Sequence, residues 1–314
     1  MSDFVFGVNL PWFDGQYGHD IGRNPQPKSD WEIWYHPETV SHYFQDIKDI
    51  GFHAVRVWLM EDAEGWAIND DGIITSLTDT FIRNLEDLVQ RAQDTKLSLY
   101  FCLTNTWTKV EIPSPVKDER QRDAYLENAV TPIANLLRGN TNIFAIDIFN
   151  EIESEVLNMD NPHRVSVEEA KTFVRSNVQA IKAEDSNRLV SAGSGWRGAD
   201  SIREGHYNNL GLDFFDIHIY DDNGTLPSVS ELDVDVPVYV GECGQFQKVQ
   251  DDQLQQASIM GFLRNATTKG YAGCFLWAYG PEQYLEITVN GRHRPVIAGV
   301  RDFIKDHRRR VHMV

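Results

Sequence analysis

Cysteine, cationic side chains and long apolar runs are all scarce in this sequence of 314 residues. Its three cysteines, Cys102, Cys243 and Cys274, are odd in number and lie in or just after apolar segments. We therefore expect buried free thiols in a reducing compartment. No run of about 18 apolar residues occurs, so no membrane-spanning helix is expected. The N-terminus shows no secretion signal, and a cytoplasmic protein is expected unless a leader has been removed.

The shortage of positive charge limits the partners that the protein can have. With 29 basic and 47 acidic residues, the formal net charge is −18. Such a field repels phosphate backbones and anionic membrane surfaces, so neither nucleic acid nor a membrane is an expected partner. A neutral substrate such as a sugar is compatible with it. Eight tryptophans are more than a core of this size needs, and several fall in predicted loops.

Short β-branched or aromatic runs alternate along the chain with segments whose apolar residues have helical spacing. The pattern predicts eight strands, at 4–10, 54–59, 97–103, 143–149, 188–192, 214–219, 237–241 and 272–278. It predicts helices at 37–50, 78–94, 118–137, 166–183, 251–268 and 296–305. A tight turn within the second loop, at 69–72, and an Asn-Gly pair after the eighth strand, at 290–291, predict hairpins.

Strands alternating with helices indicate parallel pairing, and eight repeats predict an α/β fold, a single closed (β/α)₈ TIM barrel. We expect one catalytic domain over residues 1–314, with extended loops at the carboxyl ends of the strands. The open doubly wound sheet is the alternative. It would need a glycine-rich phosphate loop after an early strand, and the sequence has none.

The predicted strands end in side chains that a hydrophobic core would not choose. These residues are Arg56, Asn150, Glu151, His218, Tyr220, Glu242 and Trp277. An apolar strand that runs into a carboxylate places it at the rim of the core, where charge is costly. Two such strands, ending in Glu151 and Glu242, predict paired glutamates facing each other across one pocket. Paired carboxylates are the usual machinery for breaking glycosidic bonds.

This set of residues, in this order over eight strands, resembles clan A of the retaining β-glycoside hydrolases, and most closely glycoside hydrolase family 5. The resemblance implies that Glu151 is the general acid/base and Glu242 the nucleophile. It also implies that Asn150 binds the sugar 2-hydroxyl, while Arg56 and Tyr220 hold Glu242 as a carboxylate. For a retaining enzyme the two carboxyl groups should lie about 5–5.5 Å apart. Glu151 must then stay partly protonated, so we expect a raised pKa from apolar surroundings and from its charged partner.

Further substrate-binding residues follow from the same resemblance. His218 would orient the acid/base, and Trp277 would form the stacking floor under the reacting sugar. Trp107 and Trp196 are predicted aromatic platforms at the mouth of the pocket. Asn105 lies in a strand-three end that is more similar to β-mannanases than to cellulases.

The expected substrate is therefore a β-linked oligosaccharide or polysaccharide, β-1,4-linked and containing mannose or glucose, with no cofactor or metal. The lack of a secretion signal favours short imported oligosaccharides. The long connection at 14–35 suggests exo action if it closes the cleft. The segment 220–224 after strand six departs from the mannanase pattern, which leaves the sugar open.

Two other functions are consistent with some of these residues. A metal-dependent barrel enzyme would use Asp147, Glu151 and Glu242 as oxygen ligands for Mg²⁺. A non-catalytic sugar-binding protein would carry the same barrel without turnover, although the intact glutamate pair argues against it. Outside the metal hypothesis, Asp147 is expected to be a hydrogen-bonded structural acid.

Overall fold

The structure, a computed structural model, describes residues 4–13, 20–25, 33–105, 111–158, 164–280 and 284–311. The strands are β1 Val5–Asn9, β2 Ala54–Trp58, β3 Trp66–Ile68, β4 Ile74–Leu77, β5 Ser98–Cys102, β6 Ile143–Asp147, β7 Val190–Ser191, β8 Gly193–Ser194, β9 Phe215–Tyr220, β10 Val238–Gly244, β11 Gly273–Leu276, β12 Thr288–Val289 and β13 Arg292–His293. The α-helices are α1 Pro37–Ile50, α2 Asp79–Thr95, α3 Glu119–Tyr125, α4 Thr131–Leu137, α5 Glu153–Leu157, α6 Val167–Glu184, α7 Ala199–Arg203, α8 Asp252–Thr268 and α9 Val296–Val311.

Nine of these strands form one parallel sheet in the order β7-β6-β5-β2-β1-β11-β10-β9-β8. The two ends of the sheet, β7 and β8, are consecutive pieces of one extended segment with Ala192 between them. The sheet therefore closes on itself as an eight-stranded barrel. Its fifth strand is interrupted at Ala192 and consists of β7 and β8. This confirms the predicted TIM barrel and all eight predicted strands.

One predicted helix and one connection between strands differ from a regular (β/α)₈ repeat. The segment predicted at 118–137 is helical throughout but contains a π-helical turn, Leu126–Val130, between α3 and α4. Pro132 follows in the first turn of α4; it lacks an N–H and would crowd a regular helix, which the wider turn accommodates. The connection between β9 and β10 contains only a 3₁₀ turn, Val229–Glu231, in place of a helix.

Capping and turn chemistry agree with the sequence. Ser166 and Glu169 form a capping box at the start of α6. Both predicted hairpins are present, as the antiparallel pairs β3–β4 and β12–β13. Among the described residues, no helix combines the length and apolarity needed to cross a membrane.

The lower part of the barrel is filled by a layer of aromatic rings whose centroids lie 4.8 to 6.3 Å apart. The rings are Tyr100, Phe144, Phe214, Tyr239 and Phe275. On strands β6 and β10, and just before β9, these rings precede the polar residues at the strand end. The hydroxyl of Tyr100 donates to Asp216 over 2.6 Å and joins this apolar layer to the polar layer above it.

The three thiols are free and buried, as predicted. Cys243 and Cys274 lie on neighbouring strands with their sulfur atoms 3.4 Å apart. Both belong to the tightly packed wall between β10 and β11.

Candidate active site

The ends of β6 and β10 bring Glu151 and Glu242 into one pocket. Glu151 lies just beyond β6 in a left-handed conformation, with φ of 53°, while Glu242 sits at a register shift in β10. One oxygen from each glutamate and one ring nitrogen of His218 all lie within 4.8 Å of one another. This close approach of the two carboxyl groups fits the separation of about 5–5.5 Å of a retaining pair better than the 6.5–9.5 Å of an inverting one.

Glu242 is held by donors on both of its oxygens. Arg56 donates to Oε1 over 2.7 Å, and the phenol of Tyr220 donates to Oε2 over 2.7 Å. Burial raises the pKa of Glu242, and the negative charge of Glu151 adds to this, whereas His218 and Arg56 oppose it. The net pKa is raised from its usual value. The two predicted donors are in place, and they limit the cost of burying this carboxylate without removing it.

Arg56 is fully buried and connects several barrel strands under the pocket. One terminal nitrogen donates to Asn9 and Glu242, and the other donates to Asp147 and Asn150. Asp147 also accepts from the backbone N–H groups of residues 149 and 193, so it is the structural acid expected from the sequence. A guanidinium stays charged at all working pH values, which fixes a positive charge beneath the glutamate pair.

The pKa expected for Glu151 from the sequence is wrong in this structure. Burial does raise its pKa, but the hydrogen bond and charge of His218, together with Arg56, bring the pKa below its usual value. His218 Nδ1 lies 3.0 Å from Glu151 Oε1. Burial lowers the pKa of His218, but Glu242, the bond to Glu151 and Asp216 raise it to about 9. A histidine with this pKa is protonated near neutral pH and donates from Nδ1 to Glu151.

The cavity over the glutamate pair has a volume of about 540 Å³, within the usual range of ligand pockets. Its lining residues are Trp58, Asn150, Glu151, Gly195, Trp196, Tyr220, Glu242, Gln245, Phe246, Lys248, Trp277 and Leu285. Asn150, Trp196, Tyr220 and Trp277 are thus brought together with the glutamates, while Arg56 and His218 support them through hydrogen bonds.

Trp277 belongs to an aromatic group at one side of the pocket. Its ring centroid lies 5.7 Å from that of Trp58 and 6.1 Å from that of Trp12. The peptide bond between Trp277 and Ala278 is cis. Trp66, by contrast, is buried in the core against Tyr125.

Other predicted residues fall elsewhere. Asn105 is not in the set that lines this cavity, and its side chain bonds to the buried carboxyl of Glu61; substrate binding by Asn105 stays a prediction. Trp107 lies outside the described residues, as does most of the 14–35 connection on which exo action was based.

Sequence reasoning missed several residues that shape the site. Asn9 ends β1 as a polar residue, the same signal that identified the other strands, and it bonds Arg56 and the carbonyl of Gly241. Asp216 lies within β9, and a Cβ at Gly241 would lie 1.8 Å from its carboxylate oxygen. Phe246 follows β10 in a loop that has no periodic pattern.

The metal hypothesis does not fit this donor set. The guanidinium of Arg56 lies 2.6 Å from an oxygen of Asp147 and 2.7 Å from one of Glu242, so a positive charge already engages both carboxylates. His218, with a pKa of about 9, is protonated near neutral pH and offers no lone pair. A divalent cation among Glu151, His218 and Glu242 would have to displace these charges.

Comparison with known proteins agrees with the geometry. The family model described as Cellulase (glycosyl hydrolase family 5) matches residues 14–283. A protein of Mytilus edulis named mannan endo-1,4-beta-mannosidase is 24% identical over 320 residues, which cover 88% of this chain and 83% of the relative. A protein of the same name from Cryptopygus antarcticus is 25% identical over 321 residues, covering 88% and 80%.

Solved structures share the fold. The beta-mannanase from the blue mussel Mytilus edulis superposes with a TM-score of 0.74 at 22% identity, covering 96% of this chain and 92% of that one. A beta-1,4-mannanase from Aplysia kurodai gives a TM-score of 0.70 at 21% identity, covering 88% of each chain. Because the family model matches most of this chain, the chain belongs to glycosyl hydrolase family 5, and it is a glycosidase.

Proposed function

We propose that the protein cleaves β-1,4-linked mannan and manno-oligosaccharides at internal bonds, by double displacement with retention of anomeric configuration. The observation that carries the proposal is the pair of glutamate oxygens within 4.8 Å in one pocket. The names of the two relatives and the mannanase-like end of strand three support mannose over glucose. The retaining chemistry is supported both by this geometry and by the match to family 5.

In the first step, an oxygen of Glu242 attacks the anomeric carbon and forms a glycosyl ester. The bond from that carbon to the leaving oxygen breaks, and Glu151 gives the leaving oxygen a proton. The amide oxygen of Asn150 accepts from Arg56, so its amide nitrogen is the group left to donate to the sugar 2-hydroxyl. That contact strengthens as positive charge develops on the ring.

The proton for this step comes from His218. The imidazolium lies against Glu151, and transfer across the 3.0 Å contact leaves a neutral imidazole and a protonated carboxyl. A bound sugar favours this transfer because it displaces water from Glu151 and lowers the local dielectric, which penalises separated charges. The pKa of Glu151 is thereby coupled to that of its partner.

In the second step, Glu151 acts as a base. It takes a proton from water, whose oxygen attacks the same anomeric carbon, and the ester bond to Glu242 breaks. Two inversions give net retention, and Glu242 is again a carboxylate. When the sugar leaves, the proton that Glu151 took from water passes to His218 across the 3.0 Å contact, which restores the starting state.

Internal cleavage of mannan is tested by following viscosity and reducing ends together. We expect the viscosity of a soluble galactomannan to fall early, before many reducing ends appear, and the first product sugar seen by NMR to be the β-anomer. Carboxymethyl cellulose and xylan serve as controls and should be cleaved far more slowly. Release of single mannose units with little change in viscosity would instead support the exo action suggested by the 14–35 connection.

Glu151→Ala should lose activity in proportion to the basicity of the leaving group. General acid catalysis contributes roughly 10²–10⁴-fold, so mannotetraose hydrolysis should fall by about that factor. A 2,4-dinitrophenyl β-mannoside needs little protonation, and formation of its glycosyl-enzyme should fall by less than about ten-fold. Burst kinetics with both substrates measure the difference. Equal losses on the two substrates would assign the proton donor to another residue.

A further inference from the structure

The two most exposed large apolar side chains among the described residues both line the active-site cavity. Phe246 is 71% exposed and Trp196 is 50% exposed. Single exposed apolar residues are common on protein surfaces, but two aromatic rings at the rim of one pocket mark a binding surface. Sugars present apolar C–H faces to such rings.

The turn that carries Phe246 is held in place from two sides. Asp222 accepts from the N–H of Phe246 over 2.9 Å, from the N–H of Gln247 over 3.0 Å and from the Gln247 side chain over 2.8 Å. The Gln245 side chain donates to the carbonyls of Gln247 and Val249, each over 2.6 Å. An exposed ring on a fixed turn loses little further freedom when a ligand binds.

Asp222 belongs to the segment 220–224, which begins at the last residue of β9 and departs from the mannanase pattern. Its neighbour Asp221 accepts from the N–H groups of Asn223 and Thr225, and donates its own N–H to the carbonyl of Gly244. The segment is thus tied to the end of β10, directly before the turn with Phe246. The segment therefore connects the loops that follow strands six and seven.

The position of Trp196 identifies the side of the cleft that it serves, and Phe246 is tied toward that side by Asp222 in the loop after strand six. Gly195 packs so closely on Glu151 that a Cβ there would lie 2.1 Å from the carboxyl carbon, which places Trp196 beside the proton donor. The group of Trp12, Trp58 and Trp277 comes from strands one, two and eight, across the barrel from strands five and six. Because Glu151 protonates the leaving oxygen, the sugars of the leaving group lie on its side of the cleft.

We propose that Phe246 and Trp196 form the binding surface for the leaving-group sugars, and that Asp222 positions Phe246 for that contact. The inference rests on the proposed assignment of Glu151 as proton donor. The ligand is a neutral pyranose chain that extends beyond the scissile bond. The rings therefore favour oligosaccharides over substrates that have a small leaving group.

The test compares a substrate that has leaving-group sugars with one that has none. For Phe246→Ala, we expect kcat/KM on mannopentaose to fall about ten-fold, the size of one lost aromatic contact. On β-mannobiosyl fluoride, whose leaving group is one atom, the fall should be at least about five times smaller. Phe246→Tyr keeps the ring and should restore mannopentaose cleavage. Leu189→Ala removes an exposed apolar side chain at the opposite end of the barrel, and it should match the parent on both substrates.

Asp222 is tested as a positioning residue with the same two substrates. Asp222→Ala should reproduce the selective loss on mannopentaose, and Asp222→Asn should recover most of it, because Asn retains an oxygen for the two backbone N–H groups. Thermal unfolding followed by circular dichroism checks that each variant is folded. Equal losses on both substrates, or parent-like cleavage of mannopentaose by Phe246→Ala, would overturn the proposal.

The failure of the mannan proposal would look different. If the parent cleaves cello-oligosaccharides and not manno-oligosaccharides, the substrate assignment is wrong. The same comparison is then made with cellopentaose and β-cellobiosyl fluoride.

Discussion

Replacing Glu242 with alanine should lower mannan hydrolysis by at least about 10⁴-fold, in the range of variants that lose a nucleophile. No other carboxylate among the described residues shares the pocket with Glu151, so nothing replaces the missing ester-forming oxygen. Arg56 and Tyr220 both donate hydrogen bonds to Glu242. A guanidinium offers no lone pair for attack, and burial raises the pKa of Tyr220, so its phenol stays protonated and is a poor nucleophile.

Azide should rescue the Glu242→Ala variant and report the stereochemistry. The small anion can occupy the space left by the carboxylate beside the cationic Arg56. It then attacks from the face that the nucleophile used, and the product is a glycosyl azide of inverted, α configuration. Hydrolysis of 2,4-dinitrophenyl β-mannoside with added azide, analysed by NMR, measures this. Glu86→Ala, which changes an exposed glutamate on α2, is the control and should act as the parent does. Parent-like turnover by Glu242→Ala, or an azide of β configuration, would contradict the assignment.

Replacing Arg56 with leucine should cause the second large effect, on both stability and pH dependence. The change leaves Asp147 and Glu242 buried without their cation, and loss of one partner from a buried ion pair costs about 3–5 kcal/mol. Urea unfolding should show this loss as a lower midpoint with an unchanged slope.

The pH profile of Arg56→Leu should move in a defined direction. Arg56 lowers the pKa of Glu242, so its removal raises that pKa further. The nucleophile must be ionised, and the acidic limb of kcat/KM therefore shifts to higher pH. Arg56→Lys keeps a positive charge but not the fork that reaches four partners, so it should shift the limb less while still losing activity. A shift to lower pH, or stability equal to that of the parent, would show that Arg56 does not act as described.

The barrel and its glutamate pair were predictable because they depend on local patterns. Alternation of apolar strands with amphipathic helices specifies the fold, and a strand that ends in Glu151 or Glu242 places that side chain at the same rim. Side-chain direction at a strand end follows from the strand itself, so Arg56, His218 and Tyr220 could be placed as well.

The pKa of Glu151 and the positions of the loop residues depend on contacts between distant residues that no local pattern encodes. The pKa of Glu151 is set by His218, which is 67 positions away in the sequence. The turn that carries Phe246 is bonded to Asp222, 24 positions away in the sequence. Asn105 lies in a strand end that resembles the β-mannanase pattern, but its side chain bonds to Glu61. Loop positions depend on such anchors, whereas strand ends do not.

Adjacent positions in the loop after strand five differ sharply in their freedom to evolve. Any side chain larger than hydrogen at residue 195 would collide with Glu151, so catalysis does not tolerate substitution of Gly195. Trp196 in the same loop and Phe246 in the loop after strand seven are exposed and are not subject to that constraint. Related enzymes can therefore replace these two aromatic residues and bind other glycans while the catalytic residues stay the same.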